Sequence, residues 1–223
     1  MFGSIKFLRT YQQAVTNENV TPIEVHMYKI GGSRSFDSAL KRKRQGLWGS
    51  AARNRMIAAV VGKPEYKDKQ VLIVVDTVEH LFYLHKLLPD FALAYGSIAT
   101  KHYKKMKKLG LMSEDFVAAT PDELIELREK FENREVLKAI ATGVWNTGVD
   151  FPSLDICVRA GGGSSDIKSI QTPGRVSRKS DGKDIGILID FFDDIDDTMK
   201  KSSKKRMKSY KEYGWKIIKH YSG

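Results

Sequence analysis

The chain has 223 residues, of which 41% are hydrophobic and 29% charged, so it can bury a core beneath a well-solvated surface. Lys and Arg outnumber Asp and Glu by 38 to 27, and the formal charge of +11 favours phosphate-rich partners. One cysteine excludes an intramolecular disulfide framework and a multi-cysteine zinc site. No apolar run approaches the roughly 18 residues of a membrane span. With a single cysteine, Cys157, we expect a reducing cytoplasmic compartment.

Short apolar runs alternate along the chain with segments of helical spacing. Helices are predicted at 78–88 and 121–131, and strands at 71–75, 91–95, 136–142, 154–160 and 185–189. Near-continuous apolar strands separated by helices are typical of a parallel sheet that is covered on both faces. The sequence therefore predicts an α/β domain.

Two segments are distinguished by charge. Residues 31–49 mix Gly and Ser with four consecutive basic residues, and they lack regular periodicity. They are predicted to be either a mobile loop lying over nucleic acid or a solvated surface loop. Residues 193–208 pass from acidic to basic, which matches the macrodipole of a helix predicted at about 195–213.

Several common sites are absent from the sequence. No Gly-x-x-x-x-Gly-Lys-Ser/Thr loop occurs, and the run Gly161 to Gly163 lacks the lysine that a phosphate loop requires. The five histidines show no paired-ligand spacing. Asp190, Asp193 and Asp194 could bind a divalent metal, but a strand end followed by a helix start is the preferred interpretation. No metal site is predicted.

Residues 141–178 hold the densest set of side chains suited to chemistry. Residues 142–150 follow a predicted buried strand, and ligands of open parallel sheets gather at the carboxyl ends of strands. Arg175 and Arg178 are three residues apart, so both can point at one anion, and their guanidinium groups suit phosphate oxygens. Gly174 permits a close backbone approach beside them. Two unrelated surface arginines on a basic protein are the alternative.

These segments resemble the motifs of superfamily 2 helicases. The pattern Gln-x-x-Gly-Arg-x-x-Arg at 171–178 resembles motif VI, and 142–150 is similar to motif V. Ser165 falls where motif Va places a serine, 71–77 resembles motif IV, and Tyr95-Gly96 looks like the following strand and turn. The order and spacing are similar to the second lobe of phage recombination helicases and of type III restriction and repair translocases. The resemblance implies a RecA-like parallel sheet sandwiched by helices across residues 1–223.

The resemblance also implies roles for individual residues. Arg178 would be the arginine finger, with Arg175 beside it on the γ-phosphate, and Gln171 would couple that phosphate to motif V. Asp150 would accept a hydrogen bond from a ribose hydroxyl. The implied sets are Arg178, Arg175 and Gln171 for catalysis, Asp150, Gly148 and Gly174 for the nucleotide, and Thr142, Ser165, Gly96 and Thr77 for the nucleic acid.

The implied cofactor is ATP with Mg²⁺, which an N-terminal RecA-like lobe would mainly hold. The implied partners are that lobe and single-stranded or branched DNA, in recombination or repair within a bacterial or phage-infected cell, with a nuclear location left open. The chain resembles a fragment or one half of a split enzyme, and alone it is expected to be inactive. The segment between Gly96 and Thr120 is longer than in compact phage versions, and its inserted basic helix could contact DNA or simply be exposed. A non-catalytic nucleic-acid-binding module and an RNA helicase lobe are the alternatives.

Overall fold

The computed structural model describes residues 15–16, 20–145, 151–163, 175–180 and 182–222 and builds them around one parallel sheet. In chain order the strands are β1 (Ile23–Gly31), β2 (Val71–Val74), β3 (Ala92–Ala94), β4 (Lys138–Ala141), β5 (Ile156–Arg159), β6 (Gly186–Asp194) and β7 (Lys216–Lys219). Their order across the sheet is β3-β4-β2-β5-β6-β1-β7. Every pair of neighbours is parallel, so one edge of the sheet collects all carboxyl ends and the other collects all amino ends.

Helices connect the strands. They are α1 (Ala39–Lys41), which continues as a π-helix over Arg42–Trp48, then α2 (Ala51–Val61), α3 (Val78–His85), α4 (Thr100–Lys108), α5 (Pro121–Glu132) and α6 (Asp197–Glu212). Five of them begin at side-chain caps, which satisfy backbone N–H groups of the first turn, and Ser38 and Ser50 cap α1 and α2. Thr77 caps α3, Asp196 caps α6, and Thr120 forms a capping box with Glu123 at the start of α5.

Two hydrophobic clusters pack against the sheet. One contains Ile73 of β2 together with Leu81 and Phe82 of α3, and the other contains Leu72 of β2 together with Phe131 of α5. Successive residues of a strand point to opposite faces, so adjacent residues of β2 enter different clusters. Burial on both faces explains why the central strands read as continuous apolar runs in the sequence.

The structure confirms the predicted parallel α/β fold and adds elements that the sequence did not predict. Strands β1 and β7 and helix α2 were not predicted; β1 alternates apolar and polar residues, and in β7 two lysines flank only two apolar residues. The last predicted core strand, 185–189, continues to Asp194, since Asp190 and Asp193 are buried beside arginines. No helix among the described residues is long and apolar enough to cross a membrane.

The two basic segments both contain helix. Within 31–49, which was predicted to be a loop, residues 39–48 are helical, and Leu47 and Trp48 of the π-helix are buried in the core. The predicted basic insertion is confirmed as helix α4. Its Lys105 pairs with Glu79 of α3, and its Met106 is buried, so α4 is packed against the domain.

Candidate functional site

The carboxyl edge of the sheet brings together three of the residues predicted to contact nucleic acid. Thr142 directly follows β4, and its N–H donates to the carbonyl of Ala94 in β3 at 2.9 Å. Gly96 lies two residues further along from Ala94, where an added Cβ would meet a methyl of Val144 at 3.3 Å. Thr77 follows β2, which is the other neighbour of β4. The three residues therefore lie at the ends of adjacent strands.

Thr77 has a structural role that the sequence analysis did not assign. Its Oγ1 accepts from the backbone N–H of His80 at 3.2 Å and so caps helix α3. A hydroxyl that accepts in this way still has its own hydrogen to donate. Thr77 can therefore start the helix and bind an anion at the same time.

The glycines after β5 complete this edge. A Cβ added to Gly161 would lie 2.8 Å from the carboxylate of Asp76, and one added to Gly162 would lie 2.5 Å from Leu47. The carbonyl of Gly163 accepts from Nη2 of Arg159 at 2.9 Å. The segment that the sequence excluded as a phosphate loop, which we call the glycine turn, is thus closely packed at Gly161 and Gly162, where a Cβ would displace the side chains of Asp76 and Leu47, whereas a Cβ at Gly163 would meet nothing within 4 Å.

Arg206, which the sequence analysis did not single out, holds the glycine turn in place through hydrogen bonds. Arg206 of α6 is buried, and its Nε lies 2.8 Å from Oδ2 of Asp190 in β6. Its Nη2 donates to the carbonyl of Phe191 at 2.6 Å, and its Nη1 lies 3.3 Å from the carbonyls of Gly162 and Gly163. One guanidinium group therefore joins α6, β6 and the glycine turn.

Arg53 of α2 is a second buried arginine, and it makes a similar set of contacts from the opposite face of the sheet. Nε of Arg53 in α2 donates to Oδ1 of Asp193 at 2.8 Å, and its Nη1 donates to the carbonyl of Ala160. No group of metal-ligating side chains is found among the described residues. Asp190 and Asp193 each pair with a buried arginine, and both lie within a strand that extends beyond its predicted end at residue 189.

The ionisation of the buried carboxyl follows from its neighbours. Burial alone would raise the pKa of Asp190, but the charges of Arg206 and Arg159 lower it below its ordinary value. Burial, followed by the nearby carboxylate of Asp190, raises the pKa of Tyr210 well above its ordinary value. The Tyr210 hydroxyl accordingly donates to Oδ2 of Asp190 at 2.7 Å. No local pattern could have revealed this set, because its members come from distant parts of the sequence.

The predicted arginine pair belongs to the amino edge of the sheet. Residues Arg175–Ser177 form a 3-10 turn, and the carbonyls of Ser177 and Arg178 accept from the N–H and the Oγ1 of Thr21 at 2.8 and 3.2 Å. Thr21 immediately precedes β1. A Cβ added to Gly186, the first residue of β6, would lie 2.0 Å from the carbonyl oxygen of Val176. The turn therefore rests on the amino ends of β1 and β6.

A lysine connects this turn to the start of β5. Nζ of Lys183 donates to the carbonyl of Arg178 at 3.0 Å and to the carbonyl of Pro152 at 3.1 Å. The side chain of Arg178 is exposed. The backbone that carries the predicted arginine finger is thus fixed, and its side chain reaches the surface.

Several predicted site residues lie outside the described part of the chain. They are Gly148, Asp150, Ser165, Gln171 and Gly174, and the side chain of Arg175 is likewise outside it. Asp150 is joined covalently to Phe151, which is buried just before β5. Pro152 follows Phe151, and Nζ of Lys183 donates to the carbonyls of both Pro152 and Arg178.

The structure separates a set of residues that the sequence analysis treated as one constellation. Thr142 lies at the carboxyl edge and Arg178 at the amino edge. The expectation that ligand-binding residues gather at the carboxyl ends of strands therefore does not hold for Arg178. The reason is topological, since each connection between parallel strands must return from the carboxyl edge to the amino edge.

The chain is similar along its whole length to helicases of two viruses. It is 27% identical to putative helicase 22 of Sulfolobus islandicus filamentous virus, in an alignment that covers 99% of this chain and 39% of the relative. It is 25% identical to the ATP-dependent DNA helicase uvsW of Enterobacteria phage T4, with 99% and 41% covered. The chain thus spans about two fifths of the length of these relatives. No family model matches it.

Solved structures with a similar fold include a phage protein and a domain of a DEAD-box protein. T4 UvsW matches with a TM-score of 0.58 and 19% identity, over 90% of this chain and 41% of UvsW. The C-terminal domain of the DEAD-box protein Dbp5 matches with a TM-score of 0.54 and 16% identity, over 87% of this chain and 89% of that domain. At these identities the likeness concerns the fold, and it confirms the predicted RecA-like sheet.

Proposed function

We propose that this chain, which is homologous to helicases over its whole length and has the fold of a superfamily 2 C-terminal lobe, is the second lobe of an ATP-dependent DNA helicase or translocase. The observation that carries the proposal is the division of the sheet into two edges. An exposed arginine on a fixed turn lies at one edge, and hydroxyls and glycines on adjacent strand ends lie at the other. A lobe that binds a nucleotide at one place and nucleic acid at another needs both kinds of edge.

The amino edge is the proposed nucleotide side. Arg178, with Arg175, would contact the γ-phosphate of ATP with Mg²⁺ that an N-terminal RecA-like lobe holds. Phosphoryl transfer spreads negative charge over the phosphate oxygens, and an arginine finger accelerates it by roughly 10³–10⁵, or about 4–7 kcal/mol of barrier. The fixed backbone of Arg178 supports this role, because only a guanidinium held in place can act without reorganisation.

The remaining nucleotide contacts are proposed from the motifs. Gln171 would couple the γ-phosphate to motif V, Asp150 would accept a hydrogen bond from a ribose hydroxyl, and Gly148 and Gly174 would contribute to the nucleotide site. The link that Lys183 makes between Pro152 and Arg178 supports a common location, because Pro152 follows Asp150 by two residues.

The carboxyl edge is the proposed nucleic-acid side. Thr142, Thr77 and Gly96 would contact backbone phosphates of a DNA strand, with Ser165 as a fourth contact. Such contacts position a strand without reading its sequence, as stepping along DNA requires. The DNA helicase named among the relatives favours DNA over RNA as the partner.

The same sheet connects the two sides. Each four-residue strand such as β5 is about 13 Å long, so the proposed nucleotide and nucleic-acid contacts lie on opposite ends of a short rigid element. Attraction of Arg178 to the γ-phosphate would close the two lobes, and loss of that phosphate would let them open. Phosphate contacts on both lobes would convert this cycle into movement along the strand.

The test is substitution of Arg178 in the protein assembled with its N-terminal lobe. Arg178→Ala should lower DNA-stimulated ATP hydrolysis by about 10³ or more while leaving most DNA binding intact. Arg55→Ala removes an exposed arginine from α2 and serves as the matched control. Near-normal turnover by the Arg178 variant would contradict the role. Unwinding of matched DNA and RNA forks decides between a DNA and an RNA helicase.

A further inference from the structure

A groove of about 490 Å³ lies between α6 and the carboxyl ends of β1, β6 and β7. We call it the lysine groove, because six lysines line it: Lys29, Lys200, Lys204, Lys208, Lys211 and Lys219. They come from a helix and from two strands that are far apart in the sequence. Only the tertiary structure brings them together, and the proposed ATP and DNA contacts use none of them.

The lysines of α6 are arranged on one face of the helix. Lys200, Lys204, Lys208 and Lys211 follow one another at intervals of four, four and three residues. Like charges at this spacing destabilise an isolated helix. The helix macrodipole favours cations only within the last turn, so it accounts for Lys211 and not for Lys200 or Lys204. The arrangement therefore carries a cost in the free protein, which an anionic partner would relieve.

Two acidic residues compensate part of this charge, and one of them is Glu212, which lies outside the lining and 3.7 Å from Nζ of Lys208. Asp194 is the only acidic residue described in the lining, and it contacts Lys29 at 3.2 Å and Lys200 at 2.8 Å. Lys204 and Lys211 are exposed and make no ion pair with any residue that the structure describes. The groove is thus positively charged overall, and two of its cations are available to a ligand.

The floor of the groove is apolar and aromatic. The rings of Phe192 and Tyr221 lie 6.0 Å apart between centroids, and the Tyr221 hydroxyl lies 3.9 Å from the sulfur of Met207. Nζ of Lys219 lies 5.9 Å from the centre of the Tyr221 ring. All three floor residues are half-buried. Cations beside an aromatic platform are the combination that binds single-stranded nucleic acid, where lysines meet the phosphates and rings meet the bases.

The groove opens at the same edge of the sheet as Thr142. From β4 to β1, the middle one of the three strands that line the groove, the strand order crosses four inter-strand spacings, which is about 19 Å at the usual separation of about 4.8 Å. A strand bound at Thr142 would therefore reach the groove only by continuing across the sheet. This is far enough for the groove to be a separate binding surface.

We propose that the lysine groove is a second binding surface for single-stranded nucleic acid, outside the path proposed for the translocating strand. This proposal depends on the proposed function in one respect, namely that the chain acts on nucleic acid. Its role would be to hold a strand after it leaves the carboxyl edge, or the displaced strand of a fork. The affinity would come mainly from phosphate contacts and would therefore depend strongly on salt.

Binding of a labelled oligodeoxythymidine to the chain, followed by fluorescence anisotropy at several salt concentrations, tests the proposal. The variant Lys204→Ala/Lys208→Ala/Lys211→Ala should bind about tenfold more weakly. The slope of log K against log salt should become shallower by about 2, because each lost contact contributes about 0.7 on a single strand. Tyr221→Leu should weaken binding about fivefold or more through lost stacking.

The matched control removes the same charge elsewhere. Lys67→Ala/Lys86→Ala/Lys130→Ala replaces three exposed lysines outside the groove and should leave affinity and slope close to those of the unsubstituted chain. Thermal unfolding should show that both triple variants are folded. Equal affinity and slope in the groove variant and the unsubstituted chain would overturn the proposal.

Two further measurements distinguish this proposal from a membrane-binding surface and from the proposed function of the chain. If the groove variant loses binding only to vesicles containing anionic lipid and keeps its affinity for the oligonucleotide, the surface belongs to a membrane and the proposal is wrong. If the groove variant binds normally while Arg178→Ala still abolishes ATP hydrolysis, the groove proposal fails and the proposed function stands.

Discussion

Arg206 and Asp190 form an ion pair that is completely withdrawn from solvent, with Nε of the arginine 2.8 Å from Oδ2 of the aspartate. The pair joins α6 to β6, and the remaining nitrogen of the guanidinium group reaches the carbonyls of the glycine turn after β5. The glycine turn lies at the carboxyl edge beside Asp76. The pair thus connects the helix that bears the lysine groove to the proposed nucleic-acid side.

Removing one partner of this pair should be strongly destabilising, because it leaves a buried charge without compensation. We expect Arg206→Met to lower the free energy of unfolding by about 3–5 kcal/mol, measured by urea denaturation. Lys208→Met removes an exposed lysine from the same helix and should change it by less than about 0.5 kcal/mol. In Arg206→Met/Asp190→Asn part of the loss should be recovered. A loss below about 1 kcal/mol in the single variant would show that the pair is not structurally important.

Gly186 fixes the contact between β6 and the arginine turn. Because a Cβ at this position would lie 2.0 Å from the carbonyl oxygen of Val176, Gly186→Ala should displace that turn and cost about 2 kcal/mol or more of stability. ATP hydrolysis should fall as well, since Arg178 follows Val176 by two residues. Gly31→Ala is the control, because a Cβ there meets nothing within 4 Å. Equal melting temperatures for the two variants would contradict this account.

His80 should make the stability depend on pH. Burial, assisted by the nearby charge of Arg53, lowers its pKa well below the ordinary value of 6.5, and its Nε2 lies 3.1 Å from Oδ1 of Asn54. The folded protein therefore keeps this ring neutral while the unfolded chain takes up a proton. The free energy of unfolding should fall as the pH drops below about 6.5, by up to about 1.4 kcal/mol per pH unit from this group.

The contribution of His80 is separable from those of other histidines. Burial also lowers the pKa values of His26 and His220, so these two act in the same direction. We expect His80→Gln to have a shallower dependence of the unfolding free energy on pH between pH 7.5 and about 5 than the unsubstituted chain. Parallel curves for the His80 variant and the unsubstituted chain would refute a neutral buried ring.

Thr142→Val tests the carboxyl edge with little change of shape. If the hydroxyl donates to a phosphate, its loss should weaken DNA binding about fivefold, as expected for about 1 kcal/mol of hydrogen bonding, and reduce the stimulation of ATP hydrolysis by DNA. Thr100→Val, at the exposed start of α4, provides a matched control. Unchanged affinity of the Thr142 variant at several salt concentrations would remove this residue from the proposed track.

The sequence by itself determined the parallel α/β fold and most of its central elements. Apolar runs such as Val71–Val74 are local signals, because a strand that is buried on both faces is apolar at adjacent positions. The arginine turn could also be proposed from its local pattern and its resemblance to a helicase motif. The polar alternation of β1 concealed its place between β6 and β7 in the sheet.

The tertiary structure alone decided which residues share an edge of the sheet. Arg178 and Thr142 are separated because each parallel connection returns to the opposite edge, and spacing along the chain does not record that return. Spacing along the chain likewise does not predict that Arg206 pairs with Asp190, or that Lys29 and Lys219 lie beside α6. Contacts between distant segments follow from strand order, and strand order is a property of the assembled sheet.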